Sequence, residues 1–236
     1  MIEIRNISFS YPGNHVLRDI SFVVSPGEVV SIIGNNGTGK TTLLKILATL
    51  AFPDSGTVML DGKDAFQRMM RYRRQIGYLP ERIALNDDMT VKEYLRYRAE
   101  LKGESPKRIR RRVGEAVEMC QLDRVLRQVI GNLSAGLRKR VALADALLLR
   151  PRILFLDDFL AGLDKPVRAS IGTILSDAAA FSSVIVTGHE LADFAQWTTR
   201  FLVLRNGVIS ASVETAGLDE KLLAERLDFA TEGRAS

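Results

Sequence analysis

A chain of 236 residues that is 46% hydrophobic and 26% charged has the make-up of one folded domain, or of one domain carrying an inserted subdomain, which excludes a disordered, fibrous or two-domain reading. Its single cysteine, Cys120, excludes an intrachain disulfide and a CxxC metal site, and is expected to fill core space on a helix in a reducing compartment. Net charge is +5, with basic residues gathered at 68–74 and 107–112; such runs read as solvated helix faces, and no aromatic-interleaved RNA-binding pattern accompanies the charge to suggest nucleic acid.

The chain begins Met1-Ile2-Glu3-Ile4-Arg5, without the basic-then-apolar layout of a secretion signal, and no apolar stretch nears the ~18 residues that a membrane span needs. We therefore expect neither signal peptide nor transmembrane helix. Ile2, Ile4, Ile7 and Phe9 alternate with polar residues, and a second alternating run from Val16 to Val24 stops at Ser25-Pro26-Gly27, which predicts a hairpin-like β entry. Val29 to Ile33 reads as a buried strand and Thr42 to Ala48 as a helix. Thr57 to Leu60, closed by Asp61-Gly62, a basic helix near 65–74 and the short strand Ile76 to Leu79 are expected to continue the same sheet.

From about Thr90 to Leu126 the spacing turns helical, interrupted by Gly103 and Pro106, and a further helix is predicted from Ser134, a good N-cap, to Leu149 before Pro151. Ile153 to Leu156 and Val184 to Val186 are wholly apolar and suit strands covered on both faces. Asn206-Gly207 between apolar runs predicts an antiparallel hairpin, and an amphipathic helix with a polar tail follows from about Glu214. The expected division is a core of 1–81 and 151–213, a mainly helical part at 82–150, and a C-terminal helix and tail at 214–236.

Two motifs carry chemistry. Gly34-Asn35-Asn36-Gly37-Thr38-Gly39-Lys40-Thr41-Thr42 satisfies G-x-x-x-x-G-K-[ST] at a strand-to-helix turn, the context a phosphate cradle requires. Its glycines let successive N–H groups face one anion, the helix N-terminus adds partial positive charge, Lys40 reaches for β- and γ-phosphates, and Thr41 suits Mg²⁺. Four apolar residues ending in Asp157-Asp158 place a carboxylate at the C-terminal end of a strand, where α/β sheets bind ligands, so that Asp157 suits Mg²⁺ held through water. Alone this pattern is common at turns; paired with the cradle it points to phosphoryl chemistry.

With these residues in order the chain resembles, over nearly its whole length, the nucleotide-binding subunit of an ABC transporter. The Gly34–Thr42 loop is similar to the family's Walker A, Leu154-Phe155-Leu156-Asp157-Asp158 to its Walker B, and Leu133-Ser134-Ala135-Gly136-Leu137 to its signature. Tyr11 matches the aromatic that stacks on adenine, with Val16 beside it at the nucleotide, and Asp164 and His189 match the dimer-interface loop and the switch histidine. The resemblance implies an α/β P-loop NTPase core with a mixed sheet, an N-terminal antiparallel β portion and an inserted helical subdomain. It implies ATP and Mg²⁺ as cofactors, with Thr41, Glu81 and Asp157 at the metal. Ser134, Ala135, Gly136 and Asp164 would meet the ATP held by a second ATPase subunit, since a helix start bearing a hydroxyl favours an anion. A separate multi-span membrane subunit would be the other partner, with this chain peripheral on the cytoplasmic face.

Departures from the family pattern bear on rate. Asp158 stands where most members carry glutamate to polarise water, and about 1 Å of misplacement can cost roughly a hundredfold. Phe159 replaces a proline, Leu137 a glutamine, and Glu81 replaces a glutamine, adding negative charge near the phosphates. Asp158, His189 and Glu81 are the expected catalytic set. The stretch 90–103 is similar to exporter subunits, which favours export. Two other readings stay open: a soluble ABC ATPase acting on nucleic acid or ribosomes, and an ATP-sensing module with very slow turnover.

Overall fold

A computed structural model describes residues 1–189, 194–218, 222–223 and 225–226. In chain order the elements are β1 (Ile2–Tyr11), β2 (Asn14–Val24), β3 (Val29–Ile33), α1 (Lys40–Leu47), β4 (Ser55–Leu60), β5 (Lys63–Asp64), α2 (Met69–Arg73) and β6 (Ile76–Leu79). Then come α3 (Val91–Leu101), α4 (Pro106–Met119), α5 (Ala135–Leu147), β7 (Ile153–Leu156), α6 (Lys165–Ala179), β8 (Ser183–Gly188), β9 (Arg200–Arg205) and β10 (Val208–Glu214).

The strands form two sheets: the antiparallel β portion expected at the N-terminus is a sheet of its own, and β4 joins it instead of continuing the sheet that holds β6. A four-stranded antiparallel sheet runs β2-β1-β4-β5, and a six-stranded sheet runs β10-β9-β3-β8-β7-β6. In the second sheet β6, β7, β8, β3 and β9 are parallel, and β10 adds an antiparallel edge through the Asn206-Gly207 turn, whose φ values of 49° and 78° are those of the tight hairpin the sequence predicts.

Period-two alternation assigns each central strand to two cores. Val30, Ile32, Ile153, Phe155, Ile185, Leu202 and Leu204 face α1 and the four-stranded sheet, where Leu43, Leu44, Ile46 and Leu47 fill the space between the sheets. Val29, Ile33, Leu154, Leu156, Val184 and Val186 face the other way, onto the core shared with α3 to α6. Both faces are covered, which is why these strands are mostly apolar, with Ser31, Ser183 and Thr187 as buried hydroxyls.

Local chemistry moved several expected boundaries. The Asp64 carboxylate accepts from the N–H groups of Phe66 and Gln67 at 2.7 and 3.2 Å, a turn that delays the basic helix until Met69. Helix α5 stops at Leu147, and Arg150 just before Pro151 has φ 50°. Thr90 opens α3 with a capping box to Glu93. Asp145 on α5, nearly buried, pairs with Arg98 at 2.9 Å and Lys102 at 2.7 Å, tying α3 to α5. Cys120 is buried just after α4, and burial pushes its thiol up to about 12. The C-terminal helix expected from about Glu214 does not start there, because β10 runs to Glu214 and 215–218 form a turn; residues 222–223 and 225–226 are helical, and the remainder from 219 on lies outside the described residues.

Candidate functional site

Strand order builds the site. Because β8 lies between β3 and β7, the cradle that follows β3, the acids that follow β7 and the Gly188-His189 end of β8 meet at the C-terminal edge of three adjacent strands, about 4.8 Å apart. β6 adds Glu81 from the next position. The resulting cleft, of about 340 Å³, is lined on the cradle side by Asn36, Gly37, Gly39, Lys40, Thr41 and Thr42. Opposite lie Glu81, Asp157, Asp158 and His189, and the β1–β2 turn closes one end with Tyr11, Asn14 and Val16.

Gly39 takes φ 104° at the start of α1 and leaves that helix without a side-chain cap, so its first N–H groups are open to the cleft. The Lys40 ammonium lies folded back, donating to the carbonyls of Gly34 at 2.6 Å and Asn35 at 3.0 Å; it is thus 7% exposed. Thr38 donates to Asn35 O at 2.9 Å. Gly34, Asn35 and Thr38 therefore shape the loop while the others present its inner surface. Burial lowers the Lys40 ammonium from its ordinary range, and Asp158 and Asp157 pull it back up.

Asp157 is 1% exposed. Its Oδ1 accepts from Thr187 at 2.9 Å and Thr41 at 3.0 Å, while Oδ2 is buried without a hydrogen-bond partner. Burial raises this carboxyl above the usual range; the two hydroxyls oppose that, and Glu81 and Asp158 add to it. Asp158 follows in a left-handed backbone, φ 43°, with Oδ2 at 3.4 Å from His189 Nε2. Tyr11 is exposed and rests edge-on against Phe9, ring centroids 4.9 Å apart, which fixes its ring at the mouth of the cleft.

Residues 17–161 match the family described as ABC transporter. The chain belongs to that family. Among curated proteins it is 33% identical over 221 residues to YxlF of Bacillus subtilis, an uncharacterized ABC transporter ATP-binding protein, covering 94% of this chain and 73% of that one. It is 39% identical to the sulfate/thiosulfate import ATP-binding protein CysA of Methylococcus capsulatus and 37% identical to that of Pseudomonas aeruginosa. Each match takes in 88% of this chain, which spans 61% and 65% of those two proteins. The solved ATP binding subunit of an ABC transporter superposes with TM-score 0.85 at 28% identity, covering 98% of this chain and 100% of that one. The dimeric cassette MJ0796 does so with TM-score 0.81 at 27% identity, covering 92% and 100%. The P-loop fold and ABC ATPase membership read from the motifs are thereby shown.

The residues expected to form the signature lie apart from the cleft. Ser134, exposed, caps α5 by accepting from Leu137 N–H at 3.4 Å, and Asp164, also exposed, caps α6 by accepting from Val167 N–H at 3.3 Å. The two helix starts touch, since a side chain at Gly136 would meet Val167 at 3.1 Å. Ser134, Ala135 and Asp164 are exposed and Gly136 half-buried between the two helix starts, and none of the four lines the cleft of their own chain. Lys139 on α5 binds the carbonyls of Phe159 and Ala161 at 2.6 and 2.5 Å, linking that surface to the loop after Asp158.

Two residues that line or organise the cleft escaped the sequence reading. Asn14 pairs with Tyr11 across the hairpin, and Thr187 holds both acids. A lone hydroxyl ending the otherwise apolar run Val184 to Val186 was the available signal for the second. The site suits Mg²⁺ on one observation above all, the orphaned buried Asp157 Oδ2, beside the Thr41 hydroxyl and Glu81. Among the described residues no three His, Cys, Asp or Glu side chains converge on one point, so phosphate oxygens of a bound nucleotide would have to complete the shell.

Proposed function

We propose that this chain binds ATP with Mg²⁺ in the cleft, pairs with a second ATPase subunit over it, hydrolyses it, and powers a separate membrane subunit that selects the cargo. The observation that carries the reading is the meeting of cradle, acids and histidine at the ends of β3, β7 and β8, with the signature residues placed outside that cleft. Lys40 and the open N–H groups of α1 hold the phosphates, Tyr11 and Val16 take the base, and Asp157 with Thr41 and Glu81 hold Mg²⁺. The bound ion would neutralise phosphate charge. Asp158 orients the attacking water, with His189 beside it sensing the terminal phosphate.

The two CysA relatives are import proteins by name, which weighs against the export expectation drawn from residues 90–103. Direction then belongs to the membrane subunit. Among the described residues no helix is long and apolar enough to cross a membrane, in keeping with a peripheral subunit at the cytoplasmic face.

Dimerisation tests the assignment of the signature. Ser134→Arg is expected to bind ATP as a monomer within about threefold of wild type, lose the cap at a cost of ~1 kcal/mol, and fail to associate when ATP is added. Light scattering with and without ATP reads this directly. Equal association by the variant would reduce Ser134 to a helix cap.

The nucleic-acid alternative loses ground from the way the basic faces are spent. Arg111 pairs with Glu115 at 2.8 Å, Arg112 with Glu104 at 3.2 Å, and Arg73 binds Thr49 Oγ1 at 2.9 Å. Duplex affinity at physiological salt should be weak. A binding curve whose log–log salt slope reached several times −0.9 with tight binding would instead mark a nucleic-acid ATPase.

A further inference from the structure

Thr187 has no role in the reading above beyond its contacts, and those contacts are unusual. Its side chain is fully buried at the end of β8, where the preceding Val184, Ile185 and Val186 are apolar. The Thr187 hydroxyl donates to Asp157 Oδ1 at 2.9 Å and accepts from the Asp158 N–H at 2.9 Å. An ionised carboxylate only accepts and a hydroxyl has one proton, so the two bonds fix each other's direction: proton toward Asp157, lone pair toward Asp158.

The backbone at Asp158 needs such a hold. The Asp157 N–H continues the sheet ladder by donating to Leu79 O at 2.9 Å, on the β6 side. One residue later the N–H turns to β8, and a side-chain hydroxyl rather than a strand carbonyl receives it. At that point φ becomes 43°, a left-handed conformation that costs a non-glycine residue on the order of 1 kcal/mol and persists where the surroundings impose it. The direction in which the Asp158 side chain leaves the backbone follows from this φ, and it brings Oδ2 to 3.4 Å from His189 Nε2 at the cleft wall.

We propose that Thr187 is a positioning residue for hydrolysis, its hydroxyl locking the left-handed turn that aims the short Asp158 carboxylate into the cleft. The inference rests on the ATPase reading of that cleft. Thr187 touches no substrate in this scheme; it acts through Asp158, and secondarily by holding Asp157 Oδ1, which leaves Oδ2 without a hydrogen-bond partner. A carboxylate one methylene shorter than the family's usual glutamate gives this aim particular weight, since displacement of about 1 Å can cost roughly a hundredfold in rate.

Thr187→Val keeps the shape and removes the hydroxyl, whereas Thr187→Ser keeps the hydroxyl. Full-length protein would be assayed for steady-state hydrolysis, for ATP affinity in EDTA, and for thermal midpoint. The expected result is a kcat lower by about 10- to 100-fold in Thr187→Val, the range for partners that orient site ligands, with Mg²⁺-free ATP affinity within about threefold of wild type. Thr187→Ser should return kcat to within about threefold. A crystal structure of Thr187→Val should show φ of Asp158 leaving the left-handed region. Should Thr187→Val turn over like wild type, or should serine fail to rescue while its thermal midpoint matches wild type, the positioning role is overturned. Wild-type protein that binds but never hydrolyses ATP would overturn the ATPase reading itself, and this inference with it.

Discussion

Lys40→Ala is expected to lower ATP affinity by about 10- to 100-fold and to remove turnover, with the fold kept. A charge-assisted hydrogen bond to a phosphate contributes about 1.5–3 kcal/mol, and each 1.4 kcal/mol is tenfold in affinity. The Lys40 ammonium now donates to Gly34 O and Asn35 O, so its side chain already sits inside the loop that would wrap the phosphates. Exchanging these carbonyls for phosphate oxygens is favourable because both partners become fully charged. The truncation leaves two loop carbonyls without a donor, but they border the cleft, where water replaces it; the thermal midpoint should move by a few degrees at most. Titration calorimetry of both proteins with ATP measures the effect. Unchanged affinity would remove the cradle from this chain's function.

How much of this was legible in the sequence depended on range. The cradle is local: strand, glycines, lysine and helix all lie between Val29 and Leu47, and the structure places them as the spacing predicts. The antiparallel finish at Asn206-Gly207 is equally local. That β1, β2 and β4 pair among themselves while β3 starts a second sheet was not legible, because alternating and apolar runs look alike whichever neighbour they choose. Nor was the insertion of β8 between β3 and β7, on which the whole site turns. Thr187 is the clearest case: a threonine near a strand end means nothing until the pairing Leu156↔Val186 sets β7 beside β8 and its hydroxyl between two aspartates. The signature residues were legible only through resemblance, since their own chain gives them no ligand to touch.

Asp158→Asn should lower kcat by about 100-fold or more while ATP affinity stays within about threefold, because removing an interaction made only in the transition state leaves ground-state binding in place. Asp158→Glu is the more informative change. A longer side chain brings the carboxylate closer to the attacking water, so kcat should rise, and the wild-type ATP-bound dimer should be correspondingly long-lived. The left-handed backbone adds a cost. Aspartate adopts φ near 43° more readily than glutamate does, so the same substitution should lose on the order of 1 kcal/mol of stability, about 2–4 °C in thermal midpoint for a chain of this size. A variant that is faster yet less stable would show that reach limits the wild-type rate and that the backbone at 158 is fitted to the shorter residue. Single-turnover hydrolysis, with the membrane partner where it is in hand, separates the chemical step from product release. Hydrolysis by Asp158→Asn at the wild-type rate would move the water-orienting role to Glu81 or His189, which share that wall of the cleft with Asp157 and Asp158.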